Sequence, residues 1–178
     1  MNKTVQDIKN RRSVRHFMTT QIKDEELMEV LQAGMNAPSA SNEQTPIFIA
    51  VQNKEWIDKL RTLNSNIAVT LGHTSKDYDT FYGAPTIILV LAKNESCPIE
   101  DATLALGNMF NAAYAMGLGS CWIHRIKETF EHDLGRQLLK ECGYEGDYIG
   151  VGSCILGYPS KGFPEPTERK SDYYKILK

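Results

Sequence analysis

PIEDATLALGNMFNAAYAMGLGSCWIHR, residues 98–125, is the stretch on which the fold turns. It reads as a long buried helix, a glycine turn and a short strand. Pro98 suits a first helical turn, where a missing backbone N–H costs no intrahelical bond. Glu100 and Asp101 place negative charge at the positive end of the helix dipole. From Ala102 to Met116 the only residues that are not apolar are Thr103, Gly107, Asn108 and Asn111. A helix apolar on nearly every side has to be covered on nearly every side. Ala102, Ala105, Gly107, Ala112, Ala113 and Ala115 are small, so another backbone can approach closely. In so short a chain, cover this complete points to a contribution from a second subunit. Gly117 reaches positive φ without penalty and ends the helix. Ser120–Ile123 then reads as a buried strand.

Around this stretch lies a chain of 178 residues, the size of one domain spanning 1–178. A formal charge of −2 argues against a generic polyanion binder, so no nucleic acid is expected. Positive charge is local instead, at Arg11, Arg12 and Arg15 and again at Arg169 and Lys170. The four cysteines, Cys97, Cys121, Cys142 and Cys154, show no metal-ligand or CxxC spacing, and no metal is expected. Cys121 and Cys154 lie in apolar runs and read as core residues. With no signal peptide and no run long enough for a bilayer, the chain is expected in a reducing cytoplasm, off the membrane.

In chain order, residues 4–12 read as a short helix, with Thr4 as N-cap, Asp7 as its capping-box partner and Val5 and Ile8 as an apolar contact. Arg11-Arg12-Ser13-Val14-Arg15 follows. Guanidinium forks and a hydroxyl match phosphate oxygens, although a solvated basic patch has the same composition. Residues 24–36 form an amphipathic helix with Leu27, Val30, Leu31 and Met35 on one face. The loop 37–46 offers neutral hydrogen bonds suited to a flat polar heterocycle, or is simply a turn. Ile47–Val51 reads as a strand and 54–63 as a helix. Residues 64–82 carry no clear pattern and read as a mobile cover over a site. Thr86–Ala92 is a continuous apolar run, a central strand buried on both faces. A helix over 128–142 and a strand over 148–156 complete the core. Gly150 and Gly152 mark a close backbone approach in that strand. No third glycine follows at dinucleotide spacing, which excludes a Rossmann fingerprint. The tail, with Pro159, Pro164 and Pro166, runs extended and returns Arg169 and Lys170 toward an anionic target.

The ordered set of RRSVR (11–15), APSASNEQ (37–44), GLGSCWI (117–123), a Gly-Tyr-Pro strand end and a late Arg-Lys pair resembles the FMN-dependent nitroreductase family, in a short form. The resemblance covers nearly the whole chain. It implies an α+β fold: a three-layer sandwich with a mostly antiparallel central sheet flanked by helices, assembled as an intertwined homodimer. It implies FMN at the dimer interface. Arg11, Arg12, Ser13 and Arg15 would hold its phosphate and ribityl chain, helped by Arg169 and Lys170. Pro38, Ser39, Ala40, Asn42 and Gln44 would line the flavin from either subunit, Asn66 would reach it, and Trp122, Ile123 and His124 would place backbone groups beside the ring. His124-Arg125 stands where family members often carry Gly or Glu-Gly.

The activity implied is hydride transfer from NADH or NADPH, through the flavin, to a nitroaromatic, quinone or enone, with ping-pong kinetics. No side chain is assigned a catalytic role, because the flavin carries the chemistry. A non-catalytic FMN-storage or sensor protein remains the alternative from another class, and a specialised flavin dehydrogenase or dehalogenase the alternative within redox chemistry.

Overall fold

The computed structural model describes residues 2–73 and 78–178. Helices α1 (Lys3–Asn10) and α2 (Asp24–Met35) precede strand β1 (Pro46–Val51) and helix α3 (Lys54–Thr70). Strand β2 (Thr86–Lys93), helix α4 (Pro98–Ala115) and strand β3 (Gly119–Ile123) follow. Helices α5 (Ile126–Glu131) and α6 (Asp133–Glu141) lead into strand β4 (Tyr148–Gly157).

The strands form one antiparallel sheet in the order β1-β2-β4-β3. β2 is central, and its alternating side chains enter two cores. Ile87, Leu89 and Leu91 meet Leu60 of α3, Ile126 and Phe130 of α5 and Leu138 of α6 on one face. Ile88, Val90 and Ala92 meet Val30 of α2 and Ala102, Leu106 and Met109 of α4 on the other. Helices therefore cover both faces, the three layers expected. Cys121 and Cys154 are buried as expected, one in each core.

The spine helix ends as its sequence dictates. Gly117 takes φ 78°. Leu118 N–H reaches the Ala113 carbonyl at 2.8 Å and Gly117 N–H reaches that of Tyr114 at 2.9 Å, the paired bonds of a Schellman cap. Asp101, Ala102, Ala105, Leu106, Met109, Phe110 and Ala113 are buried, but the helix is not covered all round. Ile99 is 56% and Leu104 48% exposed, and a Cβ on Gly107 would meet nothing within 4 Å among the described residues. An apolar stripe of α4 thus lies bare on this chain.

The two strand glycines are required by close approach. A Cβ on Gly150 would enter the Ile126 carbonyl, and one on Gly152 would lie 2.8 Å from the Trp122 ring.

Several expectations are corrected. The cap of α1 is Asn2, whose side chain accepts the Thr4 N–H at 3.0 Å, so the helix begins two residues earlier than a Thr4 cap would set it. Asp7 pairs with Lys3 at 2.9 Å instead of closing a capping box. Val5, Ile8 and Met35 (69%) are exposed. α3 runs on to Thr70, because Asn64 and Ala68 continue its buried face and Asn64 Nδ2 bonds back to the Leu60 carbonyl. Residues 64–70 are therefore helix and not a cover, while 74–77 lie outside the described residues. The 128–142 helix is two, broken where His132 takes ψ 154°. No helix among the described residues is long and apolar enough to cross a membrane.

One side-chain bond ties α2 to the end of the sheet: the Tyr158 hydroxyl donates to Glu26 Oε2 at 2.6 Å, and the same oxygen accepts Lys23 N–H at 2.9 Å. Desolvation pushes the Glu26 carboxyl up, but the Tyr158 and Lys23 donors outweigh it and hold the group below its ordinary value. A depressed carboxylate contributes stability that is present above its unfolded pKa and is lost as pH falls through the folded one. Tyr158→Phe is therefore expected to lower Tm by a few degrees at neutral pH. The gap from wild type should close below about pH 4.5, Glu26's ordinary value. A gap that persists in acid would separate Tyr158 from Glu26.

Candidate functional site

Residues 11–18 leave α1 and run along one end of the sheet. Ser13 bridges Ser120 in parallel, and Val14 N–H donates to the Ser120 carbonyl at 2.9 Å. Gly119 permits this, since a Cβ there would lie 2.8 Å from Val14. The segment then crosses the end of β4, where Met18 N–H bonds Tyr158 and Ser160 N–H bonds His16. The RRSVR motif is thus stitched to the outer strand β3.

The guanidinium of Arg11 lies 6.0 Å from the Phe110 ring centroid on α4. Burial first, then Arg12, and more weakly Arg169, push it below its ordinary value; the Cys121 thiol works the other way. Arg12 Nη1 caps α1 through the Lys9 (2.8 Å) and Arg11 (2.6 Å) carbonyls, while its buried Nε has no hydrogen-bond partner among the described residues. Phe163 packs edge-on against Tyr114 at 4.8 Å, which draws the tail back along α4 and brings Arg169 within the field of Arg11. Arg11, Arg12, Arg15, Arg169 and Lys170 take part in no ion pair among the described residues. Arginine stays charged in proteins. Arg12 and Arg169 both act as like charges on Arg11, and none of the three is ion-paired among the described residues, so an anion such as a phosphate ester would relieve them.

Arg15 parts from this group. Its guanidinium lies 5.8 Å from the Tyr82 centroid, toward the α3 face, whereas Phe110 belongs to the α4 face. Tyr82 meets Tyr78 edge-on at 5.8 Å, and Tyr78 shares a hollow with Asn66. Asn66, exposed on α3, is thus linked through Tyr78 and Tyr82 to the Arg15 side.

Among the described residues β3 is an edge strand, laddered to β4 along its length and touched on its outer side by the Ser13 bridge. Since the Ser120 carbonyl faces outward to Val14, strand alternation turns the Trp122 backbone outward too. Ile123 is paired with Ser153 of β4 at the end of the ladder. The Trp122 indole sits over Gly152, beside Phe110 at 6.2 Å, with His124 stacked on it at 6.3 Å and 27°.

Pro38, Ser39, Ala40, Asn42 and Gln44 gather elsewhere. Pro38, Ser39 and Gln44 line a cavity of about 170 Å³ with Asp101, Gly34 and Phe48. Ser41, Asn42 and Gln44 hold φ of 50°, 58° and 54°, and Gln44 N–H bonds the Ser39 hydroxyl at 3.0 Å. Asp101 anchors this loop, accepting Ala40 N–H at 3.0 Å and the Thr45 hydroxyl at 3.3 Å. Asp101 is the residue that the sequence showed only as a helix-end charge. The loop leads into β1, at the sheet edge opposite β3, three strand spacings or about 14 Å away. The loop and the RRSVR segment therefore lie toward opposite edges of the sheet.

The family model for the nitroreductase family matches residues 8–162. A protein of Archaeoglobus fulgidus, provisionally named an NADH dehydrogenase/NAD(P)H nitroreductase, is 30% identical over 95% of this chain and 94% of its own. The FMN reductase [NAD(P)H] of Bacillus subtilis is 25% identical over 90% of this chain and 67% of its own. The crystal structure of an FMN-bound nitroreductase from Bacteroides fragilis superposes with a TM-score of 0.90 at 29% identity, covering all of both chains. With its antiparallel sheet between helix layers and a family match across nearly its whole length, this chain belongs to the nitroreductase family.

Proposed function

We propose that the protein is an FMN-dependent oxidoreductase, taking reducing equivalents from NADH or NADPH and passing them to an electron-poor acceptor such as a nitroaromatic, quinone or enone. The observation that carries this reading is Arg11, half-buried over the Phe110 ring, facing the like charges of Arg12 and Arg169 with no ion pair among the described residues, on the segment bridged to the edge strand β3. Bound FMN would supply the two-electron chemistry. The arginines and the Ser13 hydroxyl hold its phosphate. The outward Trp122 N–H donates at the ring edge, and Arg15 adds positive charge on the other side, which favours negative charge between them. Lys170 follows Arg169 toward the phosphate, and His124 closes the far side of the Trp122 indole.

The working unit in this reading is a homodimer. The bare stripe of α4, with Leu104 and open Gly107, is the surface a second copy covers. A two-fold axis near Gly107 crosses two α4 helices antiparallel, and brings the Asp101 end of each toward the Phe110 end of the other. Each site is then completed by the partner's loop 38–44. One slot serving donor and acceptor in turn gives ping-pong kinetics.

The test is the absorption spectrum of the purified protein with added FMN, followed by NADH and NADPH oxidation with a quinone. Flavin uptake and parallel-line kinetics are expected. Protein that takes up no FMN overturns the reading, and protein that binds FMN without turnover is a storage or sensor protein.

A further inference from the structure

We propose that Asp101 is a positioning residue for FMN, acting on the site that its own chain's arginines do not form. The proposal deepens the flavin reading above and rests on it. Asp101 is 3% exposed in the first turn of α4, and its two oxygens accept from Ala40 and Thr45. Those residues bracket the segment in which Ser41, Asn42 and Gln44 hold positive φ. Left-handed backbone is unfavourable for side chains other than glycine and persists only where its surroundings hold it. Here both ends of the segment are held by a single carboxylate. The same carboxylate lines the cavity with Ser39 and Gln44, so it shapes the surface the loop presents.

α4 thereby carries one half-site at each end. The loop is held at Asp101, and Arg11 lies over Phe110, about 14 Å further along the axis at 1.5 Å per residue. Across an antiparallel pair of α4 helices, Asp101 of one subunit sets the loop that meets the phosphate cluster of the other. Its effect on FMN is exerted in trans.

Asp101→Asn keeps the size of the side chain and removes its charge. In a fluorescence titration the Kd for FMN is expected to rise about ten- to hundredfold, the factor carried by one charge-assisted hydrogen bond. Asp101→Glu should recover part of that loss. Thr45→Val removes one of the two bonds without touching the charge, should raise the Kd by a smaller factor, and reads the same role if Asp101→Asn does not fold.

Differently tagged Asp101→Asn and Arg11→Ala chains, mixed and purified as a heterodimer, then decide the direction. Acting in trans, one site carries both lesions and the other none, so half the sites titrate with wild-type affinity. If no site regains that affinity, Asp101 does not act across the interface. If both Asp101→Asn and Thr45→Val bind FMN as tightly as wild type, the positioning role is overturned. Wild-type protein that binds no FMN, or that stays monomeric, is a separate result and sinks the flavin reading itself.

Discussion

Arg11→Ala is expected to weaken FMN binding by about 1.5–3 kcal/mol, roughly ten- to hundredfold in Kd, while leaving the Tm of the FMN-free protein nearly unchanged. The two halves of this result have different causes. Without FMN, Arg11 is half-buried and feels the like charges of Arg12 and Arg169, with no ion pair among the described residues to offset them. Removing it relieves like-charge repulsion and forfeits about 0.5–1 kcal/mol of cation–π contact with Phe110. Those changes oppose each other. With the phosphate present the sign of the field reverses, and Arg11 becomes a charge-assisted donor in a partly dry place. The affinity loss should also shrink in high salt less than it would for an exposed lysine, because burial limits screening. Calorimetry with and without FMN, at two salt concentrations, measures both halves. Equal FMN affinity in the variant would remove Arg11 from the phosphate site. A large fall in the Tm of the FMN-free protein would recast it as a structural residue.

The sheet and its central helix were legible in the sequence because their signals are local. The TIILVLA run, the small-residue helix and its Gly117 stop each depend on residues within a few positions. Gly150 and Gly152 announced a close approach, though not what approaches: Ile126 and Trp122 are visible only in the fold. The α3 boundary was missed because Asn64, Ser65 and Asn66 look like a turn, whereas Asn64 is buried and bonded to Thr129 at 2.9 Å. Asp101 was missed as an anchor for a related reason. Its partners Ala40 and Thr45 stand 61 and 56 positions away, and an acid in a first helical turn already has a local explanation. The RRSVR motif read as one phosphate cradle, yet Arg11 reaches Phe110 of α4 while Arg15 reaches Tyr82 beside the α3 core. That division depends on which rings the fold brings within reach, which no run of five residues encodes.

Gly152→Ala tests whether the Trp122 indole is part of the site or only of the core. The added Cβ would lie 2.8 Å and 3.0 Å from two ring carbons of Trp122 and 3.1 Å from Leu106. Leu106 is fully buried on α4, so the ring has to move. Overpacking of this kind costs about 1–3 kcal/mol. For a chain this size that is roughly a 3–10 °C fall in Tm. The direction of the movement matters more than its size. Trp122 has Phe110 on one side and His124 stacked on the other, so displacement away from β4 pushes His124 into the space beside the open edge of β3. If that space receives the flavin, the variant should show weaker FMN binding and a shifted visible flavin spectrum at temperatures where it is fully folded. Gly150→Ala is the matched control. Its Cβ meets the Ile126 carbonyl on the α5 side, so it should lower Tm by at least as much and leave the flavin spectrum unchanged in the folded fraction. Equal spectral change in both variants would mean that the indole reports only on global packing, and the ring would have to be placed elsewhere along β3.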